Sequence, residues 1–134
     1  MNSLLNFFKL LSDETRMRII LLLSQKELCV CEMCNIMELS QPKVSRHLSK
    51  LRDMSLVKTE RNEQWIFYQL DIKNHVAKEI IKVLAEHGKD LPIIKKDREK
   101  LLENIEENKM CKRNKNEIKK EKIDLVSILG EKKL

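Results

Sequence analysis

The chain has 134 residues, 42% of them hydrophobic and 36% charged, with a formal net charge of +6. That suffices for one domain of roughly 100 residues with an extension, and it excludes two independent cores. With only 2 glycines and 2 prolines, few positions support sharp turns, so a mainly α fold with little sheet is predicted.

The positive surplus is uneven. Residues 1 to 94 hold 14 basic and 12 acidic side chains, a net +2, while residues 95 to 134 hold 13 and 9, a net +4. Such an excess matters by placement rather than by total. No N-terminal signal pattern is seen, and no apolar run approaches the roughly 20 residues that span a bilayer. A cytoplasmic protein with no membrane partner is expected. In that reducing compartment, clustered cysteines point to metal binding, catalysis or redox chemistry rather than to structural disulfides.

Leu4, Leu5, Phe7, Phe8, Leu10 and Leu11 predict an opening helix with more apolar surface than a lone chain covers, which points to a partner subunit. Ser12 is the expected N-cap of a second helix running to about Leu23, with Asp13 and Glu14 favourable in its first turn. Met17, Ile19, Ile20, Leu22 and Leu23 supply its buried side. After a polar break at residues 24 to 26, a short helix through about Met37 contains ELCVCEMC, residues 27 to 34. It holds Cys29, Cys31 and Cys34, three of the 4 cysteines.

Ser40 is a good N-cap for the next helix, and Pro42 fits its first turn, where a missing N–H costs nothing. Val44, Leu48 and Leu51 fall on one face for the core, leaving Lys43, Ser45, Arg46, His47, Ser49, Lys50 and Arg52 mostly outward. Two short helices joined by a tight turn, the second basic, read as helix-turn-helix. Residues 56 to 60 and 65 to 70 are rich in β-branched and aromatic types and read as a two-stranded hairpin wing, with Arg61 and Asn62 at its tip. An amphipathic helix follows from Ile72 to His87, and Gly88 ends it.

Beyond Lys89 the composition turns to Lys, Glu and Asn. One helix is expected from about Ile94 to Met110 and a second near the C-terminus, with the polar run 112 to 122 as a linker or solvated helix. The chain thus divides into residues 1 to 88, a winged helix-turn-helix domain of about five helices that binds DNA and dimerises, and residues 89 to 134, a charged helical extension.

A helix fits the major groove, where residues near its start reach base edges and basic ones hold phosphates. Gln41, Lys43, Ser45, Arg46 and His47 lie at that end; Gln pairs with adenine and Arg with guanine. Ser40, Lys50 and Arg52 suit phosphates, and Arg61 suits the adjacent minor groove.

The stretch SQPKVSRHLSKLRDMSLV, residues 40 to 57, closely resembles the recognition helix and the start of the wing in the ArsR/SmtB family of winged-helix metalloregulatory repressors. ELCVCEMC resembles the inducer site of its arsenic-sensing members. The resemblance spans about Leu10 to Leu70 and does not reach the chain after about Gly88. It implies a homodimer, not an enzyme, that holds no permanent cofactor, binds a palindromic operator in double-stranded DNA when metal-free and leaves it when the inducer binds. Ser55 departs from the glycine the family often has after the recognition helix, which bears on the turn rather than on function.

Arsenite and antimonite prefer three thiolates in a pyramid, so Cys29, Cys31 and Cys34 match As(III) or Sb(III) in number and softness. On an ideal helix at about 100° per residue, Cys29 and Cys31 point roughly 200° apart and Cys31 and Cys34 about 60°. All three cannot face one ion on an intact helix. Cys29 to Glu32 matches a capping box, which puts Cys29 at the N-cap and Cys31 in the first turn, near a dipole that lowers thiol pKa. Ion capture is therefore expected to unwind this turn and displace the recognition helix.

Other readings compete. Cysteines are often simply small buried hydrophobes. Cys31 and Cys34 form a C-x-x-C, but a redox site or redox-sensing switch of that kind wants a βαβ setting absent from the pattern. A zinc site wants a fourth ligand. Cadmium- or lead-responsive members resemble the C-x-C part but use further cysteines near the N-terminus, and residues 1 to 28 contain none. At the family's second metal site, on the last core helix, this chain has Asp71, Lys73, Leu84 and His87, so that site looks broken. Cys111 is read as a spare thiol, with a ligand folded back from the same or the other subunit as the alternative. The first helix and the helix at 72 to 87 are the expected dimer interface.

Overall fold

The computed structural model describes residues 2 to 111. In chain order these form α1 (Asn2–Leu11), α2 (Glu14–Leu23), β1 (Leu28–Cys29), α3 (Val30–Met37), α4 (Gln41–Asp53), β2 (Val57–Asn62), β3 (Trp65–Leu70), α5 (His75–His87), a 3-10 turn (Gly88–Asp90) and α6 (Pro92–Glu106). The winged helix-turn-helix is present, with five helices before the extension and α6 as the extension's first. The second helix and the polar run expected beyond Cys111 lie outside the described residues. No described helix is long and apolar enough to cross a membrane.

The wing has one strand more than the sequence indicates. β2 and β3 pair antiparallel from Val57↔Leu70 to Asn62↔Trp65, and β1 adds to the other edge of β3 through Leu28↔Tyr68 and Cys29↔Phe67, giving the order β1-β3-β2. Two residues are too few to show an alternating pattern. What makes them a strand is the long-range burial of Leu28 and Cys29 beside Phe67.

Helix starts follow side-chain capping. Asp13, not Ser12, caps α2: its carboxylate accepts the Arg16 N–H at 3.0 Å, while the Ser12 hydroxyl donates back to the Lys9 carbonyl at 2.7 Å and closes α1. Ser40 accepts the Lys43 N–H and begins α4 with Pro42 in its first turn. Asn74 accepts the Ala77 N–H at 3.0 Å, so α5 starts at His75 rather than at Ile72. After α4 the chain turns through Ser55 at φ 58, in the left-handed region where glycine is unstrained. The turn geometry is therefore kept, with serine bearing its cost.

Ile19, Ile20 and Leu22 of α2 lie at the centre of the core, against Met33 and Ile36 of α3 and Val44, Leu48 and Leu51 of α4. α6 joins this body: Leu101 belongs to the same core cluster, and Ile94 packs with Leu21 and Ala85. Across the seam Arg18 grips Asp97 with two hydrogen bonds, Nε to Oδ2 at 2.8 Å and Nη2 to Oδ1 at 2.9 Å. Nη2 also donates to the Met37 carbonyl at 3.1 Å. One buried guanidinium thus ties α2, the end of α3 and α6 together. Leu5 and Phe8 of α1 and Val76 and Val83 of α5 remain exposed.

Candidate metal centre and nucleic-acid interface

Cys29 is the N-cap of α3 and also the last residue of β1, so its backbone is extended (φ −93, ψ 170). The Glu32 carboxylate accepts the Cys29 N–H at 3.0 Å through Oε1, making the carboxylate half of the predicted capping box. Its other oxygen, Oε2, accepts the N–H of Cys111 at 2.7 Å. Glu32, itself buried, therefore holds two backbone segments side by side.

The result is a cluster of three sulfurs. Cys29 Sγ lies 3.1 Å from Cys31 Sγ and 3.6 Å from Cys111 Sγ, and the Cys31 and Cys111 sulfurs are 3.4 Å apart. Cys29 is buried, Cys111 half-buried and Cys31 exposed, so the group opens to solvent on one side. Among the described residues this is the group that can present three ligands to one metal ion. Cys34 is not a member. It lies farther along α3, half-buried against the core.

The third sulfur beside Cys29 and Cys31 in the fold is thus not that of Cys34 but that of Cys111, read from the sequence as a spare thiol with a folded-back ligand as the alternative. No local pattern pointed to it, since it lies 82 positions from Cys29 and nothing in the composition of the extension shows that the chain returns to α3. The expected lowering of thiol pKa at the helix start is also absent at Cys29. Burial, then the Glu32 carboxylate, push that thiol far above its ordinary range. Burial and the hydrogen bond to Cys31 push Cys111 up to about 11, and burial raises Cys34.

Among the residues expected to face DNA, Ser40, Gln41, Lys43, Arg46, Lys50 and Arg52 are exposed on or beside α4, and Arg61 is exposed at the wing tip. Ser45 is half-buried, and the Ser40 hydroxyl already serves as the N-cap. α4 has no acidic residue in its first turn and carries Lys50 and Arg52 in its last. His47 differs: it is only 7% exposed, its Nδ1 lies 3.4 Å from Arg16 Nη1 and 4.0 Å from Asp13, and it packs between α4 and the start of α2. It sits three residues after Val44, on the core side of the helix rather than outward as the sequence pattern suggests. Asn62 is likewise buried in the wing rather than displayed at its tip.

Asp71 is engaged by Lys73 at 3.1 Å and His87 is exposed, and among the described residues neither belongs to a group that could hold a metal ion.

Residues 13–59 match the model of the bacterial regulatory protein arsR family. The chain is 50% identical over 64 residues to the arsenic resistance transcriptional regulator ArsR1 of Pseudomonas putida, covering 47% of this chain and 50% of that one. It is 42% identical over 83 residues to the arsenical resistance operon repressor of Escherichia coli, covering 61% and 69%. A cadmium resistance regulatory protein, the CadC homolog of Staphylococcus aureus, is 36% identical, covering 65% and 71%. In solved structures, HlyU from Vibrio cholerae superposes with a TM-score of 0.56 at 34% identity, covering 62% of this chain and 88% of that one. The matched stretch spans half the length of ArsR1, and the similarity lies in the winged helix-turn-helix. On the shared helix-turn-helix and the identity over most of the Escherichia coli protein, the chain belongs to the arsR family of bacterial regulatory proteins.

Proposed function

We propose that the protein is a cytoplasmic, homodimeric transcriptional repressor that binds a palindromic operator when metal-free and releases it on capturing As(III) or Sb(III). The observation that carries this reading is the convergence of thiols within 3.1–3.6 Å at the start of the helix that precedes α4. Cys29 and Cys31 are the fixed pair. A third thiol completes the set, Cys34 by its spacing in the chain or Cys111 by its position in the fold.

Arsenic-resistance and cadmium-resistance relatives both exist, so the donor set has to discriminate. A trivalent ion with three thiolates is neutral. Divalent cadmium or lead with the same three leaves a net negative charge beside the buried Glu32 carboxylate, which is unfavourable away from water. Zinc wants a fourth ligand. The site thus favours As(III) and Sb(III).

DNA contact is assigned to Gln41, Lys43, Ser45 and Arg46 at the start of α4, with Ser40, Lys50, Arg52 and Arg61 on the backbone. Leu5 and Phe8 of α1 with Val76 and Val83 of α5 supply the apolar surface for the dimer. Velocity sedimentation at micromolar concentration should find a dimer.

A gel-shift titration on the DNA upstream of its own gene, with arsenite, antimonite, cadmium and zinc in parallel, tests the whole reading. Arsenite and antimonite should release the DNA at concentrations where cadmium and zinc do not. Release by cadmium alone would assign the protein to the divalent-ion sensors instead.

A further inference from the structure

We infer that Cys111, not Cys34, supplies the third thiolate, so that the inducer clamps the segment after α6 onto the β1–α3 junction while α3 stays helical. This rests on the proposed arsenite response and specifies its ligands. Three observations meet here: the sulfurs of Cys29, Cys31 and Cys111 converge, Glu32 anchors the backbone on both sides, and Arg18 locks α6 to α2 and α3.

The spacing fits the chemistry. With metal–thiolate bonds of about 2.3 Å, two sulfurs on one ion lie at most about 4.6 Å apart, and the separations of 3.1, 3.4 and 3.6 Å fall inside that limit. Capture needs no redox partner: As(OH)3 + 3 R–SH gives As(SR)3 + 3 H2O, each S–H proton leaving with a hydroxide from arsenic.

Glu32 fixes this geometry before the ion arrives. Its two oxygens hold the N–H groups of Cys29 and Cys111 at 3.0 and 2.7 Å, which places residues 82 apart in the chain with their sulfurs in contact. Glu32 is a positioning residue and touches no ion itself. Cys29 pairs with Phe67 on β3, so the clamped ion is bonded to the sheet that carries the wing. The route to the DNA-binding surface then runs through β1 and β3 as well as through α3.

The test compares full-length Cys111→Ser and Cys34→Ser with wild type in two measurements. The first is arsenic X-ray absorption, which counts As–S bonds. The second is arsenite titration of the operator complex. Cys111→Ser should retain two As–S bonds and gain an oxygen neighbour, and half-release should need at least about tenfold more arsenite, the loss expected even when a supporting outer-shell partner is removed. Cys34→Ser should keep three As–S bonds and the wild-type titration. Phenylarsenite, which takes two thiols, should still bind Cys111→Ser, separating a lost ligand from a damaged fold, and Cys111→Ala repeats the comparison without a hydroxyl. Three As–S bonds in Cys111→Ser, or their loss in Cys34→Ser, overturns the assignment. A wild type that forms no such bonds overturns the arsenite reading itself, and the clamp with it.

Discussion

Asp97→Ala is the sharpest probe of how α6 is held. Arg18 and Asp97 are 6% and 2% exposed, and two charge-assisted hydrogen bonds of 2.8 and 2.9 Å join them. The pairing with Asp97 raises the Arg18 pKa; without that partner the guanidinium still stays charged, because arginine does not lose its proton in proteins. Among the described residues, the Met37 carbonyl at 3.1 Å is then the acceptor it keeps. Truncating one partner of a buried pair costs about 3–5 kcal/mol because the other charge is left uncompensated. That is roughly two to four powers of ten in the unfolding equilibrium. Replacing both, as Arg18→Met with Asp97→Leu, should recover at least about half of the loss, since apolar groups of similar size need no partners. Urea unfolding at one fixed protein concentration measures both effects, the fixed concentration keeping any contribution from association constant. A cost below about 1 kcal/mol, the level of an exposed pair, or a double variant as unstable as the sum of the singles, would refute the buried pair as the tie between α2 and α6.

Three further outcomes follow from named groups. Burial holds the His47 pKa below its ordinary value of 6.5, against a smaller opposing pull from Asp13. As pH falls through 6.5, the unfolded chain takes up a proton that the folded chain refuses, so wild type should lose stability relative to His47→Gln between that pH and the lower folded value. Asp13, with its pKa lowered from 3.8 chiefly by the Arg16 N–H, contributes stability that is lost only at more acidic pH and leaves this window clear. Denaturation of both proteins at about pH 7.5 and 5.5 checks the sign, and a difference that does not vary with pH contradicts it. Arg46→Ala should weaken DNA binding; if Arg46 neutralises a phosphate, the salt slope should fall by about 1, and if it reads guanine, discrimination should fall by about 1–3 kcal/mol at one base. Replacing exposed Val83 with Asp should move the sedimentation profile toward monomer, whereas the same change at exposed Lys58 on the wing should not.

Much of this fold was legible because its signals are local. Ser40, Pro42 and the spacing of Val44, Leu48 and Leu51 fix α4 within a few residues, and the aromatic run at 65 to 70 marks β3 without reference to anything distant. Capping choices were harder where two polar residues adjoin. Ser12 and Asp13 both suit an N-cap, and the carboxylate takes the role only because the serine hydroxyl is drawn back to Lys9. His47 was misplaced because polarity pointed it outward, whereas a helix face of Val44, Leu48 and Leu51 leaves room for an imidazole at its edge beside Arg16. β1 was not visible in the sequence, and Cys111 stood there only as an alternative ligand, for a shared reason: each acquires its place from a partner far along the chain, Phe67 in one case and Glu32 in the other.

The two choices of third thiol imply different energetics for the same inducer. With Cys34, the first turn of α3 must open before three sulfurs can share one ion, which sacrifices the Glu32 contact to the Cys29 N–H and at least one helical hydrogen bond. Losing a helix cap alone costs about 0.5–2 kcal/mol, and that amount is subtracted from inducer affinity. With Cys111, the conflict between helical spacing and pyramidal geometry does not arise. Cys29 lies in β1, where its extended backbone frees the sulfur from helical direction; Cys31 lies in the first turn; and Cys111 arrives from outside the helix altogether. Glu32 keeps both of its contacts in this arrangement. The Glu32 hydrogen bonds already hold Cys111 beside Cys29, so in this arrangement an ion would close a site that is formed before it binds.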